Sequence, residues 1–202
     1  MQQDAATKRY TLGLRVWEMG AKAVGRIGLV DAARPVLRWL TRVTGETSGL
    51  VVLRDAGVLY VDIAEGSEPL RVYAEVGQRA PAYATASGKA MLAYHAEALP
   101  KVVQVGLKRL TASTVTSVSE LERRLAEVRR IGLSINHGER RGDIAAVAAP
   151  IFDAQGVCIA AISLSGPRTR VDGEALEELK RHVSKAAEEI SSKLGHRDPN
   201  RA

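Results

Sequence analysis

Residues 143–165, DIAAVAAPIFDAQGVCIAAISLS, carry the clearest strand pattern in the chain. They contain two apolar segments of strand length, Asp143–Phe152 and Val157–Ser165. The four residues between them, Asp153 to Gly156, are typical of a tight turn. The stretch therefore predicts two strands that pair through a hairpin.

The side chains of this hairpin indicate a pocket. Side chains alternate along a strand with period two, so Ser163 and Ser165 project to the same face and place two hydroxyls side by side. The preceding strand carries small residues, including Ala146 and Ala148, which leave room above the sheet. In the alternative interpretation, the alanines admit a closely packed helix and the serines are solvated.

The sequence also predicts a strand and a helix before the hairpin and a helix after it. A strand is predicted at Leu133–His137, preceded by a helix at Val118–Ile131 that has a serine at its start and Gly132 at its end. After the hairpin, leucine, valine and isoleucine at heptad-like spacing predict a helix over Gly173–Leu194.

The first half of the chain also shows the two-residue alternation of strands and the three- and four-residue spacing of helices. Alternation predicts three more strands, at Leu50–Leu53, Val58–Ile63 and Leu70–Val76, the first two joined by a turn. Helical spacing predicts helices at Leu12–Val24 and Leu29–Val43. In the second of these, Asp31 is the expected cap and Pro35 is expected in the first turn.

Two short helices are predicted between these halves, from Ser87 to Tyr94 with Thr85 as N-cap, and at Ala98–Val105. Strands and helices then occur in blocks rather than in strict alternation. This order predicts an α+β fold, with a mostly antiparallel six-stranded sheet and helices packed on it.

The composition is that of a globular, non-membrane protein. The 202 residues are 46% apolar and 26% charged, enough for one domain with a full core. The longest apolar run, Ile144–Phe152, falls far short of the roughly 20 residues of a membrane span. With a single cysteine and no secretory signal, a reducing cytoplasm is the expected location and no membrane partner is expected.

The positive charge is concentrated near the N-terminus. Of the net charge of +6, an excess of +5 lies in residues 1–44, which contain eight basic and three acidic side chains. Arg34, Arg38 and Arg42 form a stripe at four-residue steps. Such a segment fits either a position near phosphate or an acidic partner, or an ordinary solvated helix face.

Signatures of catalysis, cofactors and metals are missing. The sequence lacks the dinucleotide and phosphate-loop motifs, the zinc-protease motif and the nucleophile elbow. Cys158 is expected to be a buried structural cysteine, and His137 an exposed histidine at a strand end. We therefore predict no catalytic residue, no metal and no cofactor.

Three segments together resemble the signature segments of the IclR-type bacterial transcriptional regulators. They are ATASGKAMLA at 84–93, AAPIFD at 148–153 and AAISLSGP at 160–167, in the family's order and spacing. RYTLG at 9–13 is similar to the last strand of the family's winged DNA-binding domain. The resemblance divides the chain into the end of the wing and a linker helix at 1–25, a GAF-like effector-binding domain at 26–195, and a polar tail at 196–202.

The resemblance implies a pocket for a small molecule, often an organic or aromatic acid, between a six-stranded sheet and helices on both of its faces. The backbone N–H groups of the helix start and the two strand hydroxyls would bind it, with further positions on the neighbouring strands. The implied ligand-binding residues are Val72, Ala86, Ser87, Asn136, Ala146, Ser163 and Ser165.

Two of these positions depart from a relative that binds small keto acids. Asn136 falls where that relative has an aspartate, and Ala146 where it has a cysteine. The amide removes a charge and adds donors, and the alanine enlarges the pocket. These departures favour an effector larger than a two- or three-carbon acid, with an aromatic or medium-chain carboxylate as the first hypothesis.

The family's helix-turn-helix precedes the wing, and this chain starts at or inside the wing. The chain is thus expected to be a fragment of a longer regulator, a protein with a misassigned start, or one that does not read DNA. DNA would be bound through the domain missing from this chain, with Lys8, Arg9 and Arg15 touching phosphates. Family members are usually dimers or tetramers, so self-association is expected.

Two rival functions remain open at this point. A stand-alone sensory module of the same fold would act through protein contacts, and a small-molecule enzyme would use the same pocket for turnover. A helix-turn-helix pattern upstream of Met1 would decide for the regulator, and conversion of a bound acid would decide for the enzyme.

Overall fold

The computed structural model describes residues 28–197 and the backbone of two short strands, β1 (Gln2–Gln3) and β2 (Tyr10–Thr11), which pair antiparallel. The predicted helix at Leu12–Val24 lies outside the described residues. So do Lys8, Arg9 and Arg15, the proposed phosphate contacts.

A six-stranded sheet forms the centre of the domain, as predicted. Its strands occur in the order β5-β4-β3-β8-β7-β6, and every neighbouring pair is antiparallel. The strands are β3 (Thr47–Arg54), β4 (Gly57–Ala64), β5 (Arg79–Pro81), β6 (Ser134–His137), β7 (Ile144–Phe152) and β8 (Cys158–Pro167). The hairpin of β7 and β8 therefore contributes two of the four interior strands.

Five α-helices pack on the sheet. They are α1 (Leu29–Thr44), α2 (Ala86–Leu92), α3 (Leu99–Val105), α4 (Val118–Ile131) and α5 (Gly173–Lys193). Ser117 caps α4 as predicted, because its hydroxyl accepts a hydrogen bond from the Glu120 N–H, and Gly132 ends the helix with φ of 73°.

Helix α1 begins at Leu29 as predicted, but its cap and the place of Pro35 differ from the prediction. The helix begins directly after Gly28, whose φ is 60°, so Asp31 lies inside the first turn and is not the cap. Pro35 consequently lies in the helix interior rather than in its first turn. Its missing N–H leaves the carbonyl of Asp31 without the usual helical donor, which is tolerated because both residues face outward.

The predicted strand at Leu70–Val76 is wrong. Residues 65–78 form an irregular segment, and the strand that pairs with β4 is the shorter β5. The alternating residues do not mark a buried face, because Leu70 is 67% exposed and Val76 is 63% exposed. The segment is held instead by hydrogen bonds to its carbonyls, among them one from the Thr47 hydroxyl to Val72, at 2.7 Å.

The sheet separates two apolar cores, which explains why β7 and β8 are apolar on both faces. Ile162 and Leu164 pack with α1 and α5 in the first core. Ala148 and Ala161 pack with α2, α3 and α4 in the second. Near the end of β8, Ile162 and Leu164 thus face the first core, and Ser163 and Ser165 lie on the opposite face, where the cavity is.

Within the described part of the chain, no helix has the length and apolar character needed to cross a membrane.

Candidate functional site

The first turn of α2 forms one wall of the site. Thr85 caps the helix, because its hydroxyl oxygen accepts a hydrogen bond from the Gly88 N–H at 3.1 Å. A Cβ at Gly88 would lie 2.2 Å from the carbonyl oxygen of Ala82, so only glycine allows this close approach. The N–H groups of Ala86 and Ser87 lie at the helix start, where no intrahelical acceptor is available.

The face of the sheet that is turned toward α2 forms the second wall of the site. Asn136, Ala146 and Ser165 lie in one row across β6, β7 and β8, because Asn136 pairs with Ala146 and Ala146 with Ser165. Ser163 lies two residues before Ser165 on the same face and donates a long hydrogen bond, at 3.4 Å, to the Gly49 carbonyl. The alternation of side chains thus brings the two hydroxyls together, as expected from the sequence.

Between these walls lies a cavity of about 90 Å³. All seven residues expected from the resemblance line it: Val72, Ala86, Ser87, Asn136, Ala146, Ser163 and Ser165. Ser87 is 2% exposed, and its hydroxyl makes no hydrogen bond to any residue that the structure describes. The same is true of the Ser165 hydroxyl among residues 28–197.

The Asn136 side chain also makes two structural hydrogen bonds that the sequence did not indicate. Its Nδ2 donates to the carbonyl oxygen of Ala84 at 2.6 Å, and its Oδ1 accepts from the Glu139 N–H at 3.0 Å. The amide therefore ties β6 to the turn before α2 and to the loop that follows β6. A primary amide has two N–H groups, so one remains for a ligand.

A buried ion pair anchors the loop between β6 and β7, residues 138–143. The Lys89 ammonium on α2 donates to the Glu139 carboxylate and to the Ile135 carbonyl, and Lys89 is only 1% exposed. Burial lowers the pKa of Lys89, and the Glu139 charge opposes this shift. Thr114 adds a hydrogen bond from its hydroxyl to the Glu139 carbonyl at 2.7 Å.

Sequence reasoning considered Lys89 only as part of a phosphate-loop pattern and did not consider Glu139. The two residues are 50 positions apart, and neither lies in a local pattern that predicts pairing. No signal in a single sequence links them, because the pair depends on α2 packing beside β6.

The cavity is electropositive. Arg140 and Arg141 line it, and no Asp or Glu is among the lining residues that the structure describes. Tyr60, on β4, also lines it; burial raises the pKa of its phenol, and the nearby Arg140 charge opposes that shift. The sequence analysis missed these three residues because they lie in a loop and on a strand outside the recognised segments.

Cys158 and His137 lie outside this arrangement. Cys158 is 3% exposed in the second core, and burial raises the pKa of its thiol to about 12, so it is a protonated structural residue rather than a nucleophile. His137 ends β6 and is half-buried rather than exposed as expected. Among the described residues, no cluster of three His, Cys, Asp or Glu side chains could hold a metal ion.

Comparison with protein families gives one match, which covers most of the chain. The family model for the C-terminal domain of the bacterial transcriptional regulator IclR matches residues 21–192. This range includes both walls of the cavity.

Relatives with similar sequences have names of the same kind. The chain is 34% identical over 198 residues to the HTH-type transcriptional regulator KdgR of Escherichia coli K12, which covers 97% of this chain and 75% of the relative. It is 36% identical over 193 residues to the HTH-type transcriptional regulator BhcR of Paracoccus denitrificans, covering 94% and 69%, respectively.

Solved structures agree with the sequence matches. The crystal structure of Thermotoga maritima IclR superposes with a TM-score of 0.83 at 32% identity, over 96% of this chain and 79% of that one. The fold and the family model thus lead to the same group of proteins.

Proposed function

Because the chain belongs to the IclR family of bacterial transcriptional regulators and contains their effector-binding domain, we propose that its cavity binds a small organic acid that modulates DNA binding. The matched relatives are named as transcriptional regulators, and the chain is accordingly part of a regulator and not an enzyme.

One observation carries the choice of an acid: donors converge on the cavity without an acidic partner in its described lining. The hydroxyls of Ser87 and Ser165 have no protein acceptor there, and the first-turn N–H groups of α2 are available. A carboxylate accepts several hydrogen bonds through its two oxygens and would satisfy these groups together. A cationic ligand would find no counter-charge in this lining.

The size of the cavity limits the acid. At roughly 10–15 Å³ for each water-sized position, about 90 Å³ corresponds to about six to nine such positions. This range suits an aromatic or medium-chain carboxylate of modest length, the class favoured by Ala146, and a long-chain acid would need the cavity to open.

We expect the domain to act through self-association and through DNA-binding domains of the regulator. Effector binding would favour one arrangement of subunits over another, since a ligand shifts an equilibrium only by its differential affinity for the two states. The segment at 12–24 would connect this change to DNA, where Lys8, Arg9 and Arg15 are proposed to touch phosphates.

Calorimetric titration tests the proposed ligand class. We expect benzoate and pentanoate to bind, and the neutral analogue benzamide to bind at least about tenfold more weakly. Ser163→Ala/Ser165→Ala should lower benzoate affinity by about tenfold or more, because hydrogen bonds to a charged group are among the stronger ones.

Ser119→Ala is the matched control, because Ser119 is exposed on α4 and remote from the cavity lining. Its affinity for benzoate should equal that of the unmodified protein. Binding only of neutral or cationic compounds would contradict the ligand class, and binding only of small keto acids would contradict the expected size.

A further inference from the structure

Arg140 is a cationic group in the lining of the cavity and lies on the loop after β6, not on α2 or β8. Its side chain is half-buried in the lining, and it makes no ion pair or hydrogen bond with any residue in 28–197. The five guanidinium donors of a partly buried arginine that has no protein acceptor are available to a ligand that enters the cavity.

The acidic side chains of the same loop do not serve Arg140. The Glu139 carboxylate is buried against the Lys89 ammonium. Asp143 pairs with Arg141, whose Nη2 lies 3.2 Å from the Asp143 carboxylate. Both carboxylates of the loop therefore pair with other cations, and the Arg140 guanidinium is available to a ligand.

Tyr60 lines the same cavity as Arg140. The Arg140 charge opposes the rise that burial causes in the pKa of the Tyr60 phenol. The Tyr60 hydroxyl makes no hydrogen bond within the described part of the chain. A guanidinium and a phenol O–H together are suited to a carboxylate, because both donate and one is charged.

This pair is separate from the donors at the helix start and on β8. Tyr60 is on β4 and Arg140 follows β6, whereas Ser163 and Ser165 are on β8 and Ser87 is on α2. One cavity therefore offers two sets of anion-binding donors, and a single carboxylate would leave one set unused.

We propose that the effector is a small dianion, such as a dicarboxylic acid, with one acidic group bound by the α2 and β8 donors and the other by Arg140 and Tyr60. This inference rests on the proposed function of the cavity and narrows its ligand class from an organic acid to a diacid. An aromatic effector would accordingly carry two carboxylates instead of one.

Matched pairs of acids test the proposal by calorimetry. Glutarate and pentanoate share the same carbon chain, as terephthalate and benzoate share the same ring, and each pair differs only in the second carboxylate. We expect a diacid to bind about tenfold or more tightly than its monoacid in at least one pair. Equal binding in both pairs would overturn the proposal.

Two single variants separate the role of Arg140 from a general effect of charge. Arg140→Gln should lower diacid affinity by more than it lowers monoacid affinity and so remove the preference for the diacid. Arg123→Gln removes the same charge from an exposed side chain on α4 that pairs with Glu120 and is not part of the cavity lining, and it should keep the preference. Equal losses in both variants would contradict the assignment.

Two further measurements keep the outcomes distinct. Arg140→Lys should retain part of the preference, because a cation remains, and circular dichroism should give native spectra for all three variants. If monoacids bind and Ser163→Ala/Ser165→Ala weakens them, the proposed function stands even when the diacid preference is absent. If no acid binds at all, the proposed function itself fails.

Discussion

At the scale of single residues, burial decides chemistry in this domain. Cys158 and Ser87 are both nearly inaccessible, yet Cys158 lies in an apolar core and Ser87 faces a cavity with its hydroxyl unpartnered among the described residues. A thiol in an apolar core stays protonated and inert. A hydroxyl at a cavity wall is available for a ligand.

The raised pKa of Cys158 predicts a loss of stability at high pH. The folded thiol holds its proton to about pH 12, whereas the unfolded thiol releases it near 9.0. Stability from this residue is therefore complete below pH 9 and declines above it, by about 1.4 kcal/mol at pH 10. Urea unfolding of the protein and of Cys158→Ala, at pH 8 and pH 10, measures the difference.

Other groups also titrate in this range, but they do so equally in both proteins, so the comparison isolates Cys158. The decline from pH 8 to pH 10 should be smaller in Cys158→Ala. Identical declines would mean that the folded thiol ionises at its ordinary pKa.

At the scale of elements, the Lys89–Glu139 pair fixes the loop at 138–143 to helix α2. Each partner alone is an uncompensated buried charge, which is far more costly than the intact pair. The loop carries Arg140 and the helix carries Ser87, so the pair also sets the spacing of the two proposed anion sites.

A double-mutant cycle tests this anchoring. Lys89→Met and Glu139→Gln should each lower the free energy of unfolding by about 3–5 kcal/mol, measured in urea. The double variant should lose clearly less than the sum, because it leaves no unpaired charge in the protein interior. Additive losses would show that the two side chains act independently.

Elements with strong local signals were predictable from the sequence. The hairpin of β7 and β8 follows from a turn between two apolar runs, and α4 from its cap and its terminal glycine. The strand at Leu70–Val76 was wrong because alternation alone does not show that a partner strand is in reach. The start of α1 at Leu29 was predicted correctly, but its cap was wrong because Gly28, with φ of 60°, takes the cap position and Asp31 lies in the first turn.

The cavity was predictable only in part, for a related reason. Ser163 and Ser165 follow from strand periodicity, and Ser87 from the helix start. Arg140 and Tyr60 meet only because β4 and the loop after β6 converge on the same cavity. A contact of that kind depends on the order of strands in the sheet, which a single sequence does not specify.

At the scale of the whole molecule, one sheet serves two cores. Trp39 packs against the core formed by α1 and α5, and Cys158 lies in the core formed by α2, α3 and α4. Both cores share β7 and β8, so neither can lose its sheet face without exposing the other. This arrangement predicts a single cooperative unfolding transition.

Two probes on opposite faces test this cooperativity. In a Trp17→Phe background, Trp39 fluorescence follows the first core, and Cys158 reactivity toward a thiol reagent follows the second. Both should change at the same urea concentration. Labelling of Cys158 while Trp39 fluorescence remains native would show that the cavity side unfolds separately.

In the loop at 138–143, a residue that stabilises the fold is followed directly by one that lines the cavity. Glu139 forms the buried ion pair with Lys89, whereas Arg140 lines the cavity and makes no described ion pair or hydrogen bond. A change at position 140 can thus alter what the protein responds to without disturbing its fold. For the engineering of biosensors, a library limited to position 140 would explore new inducers at little risk to stability.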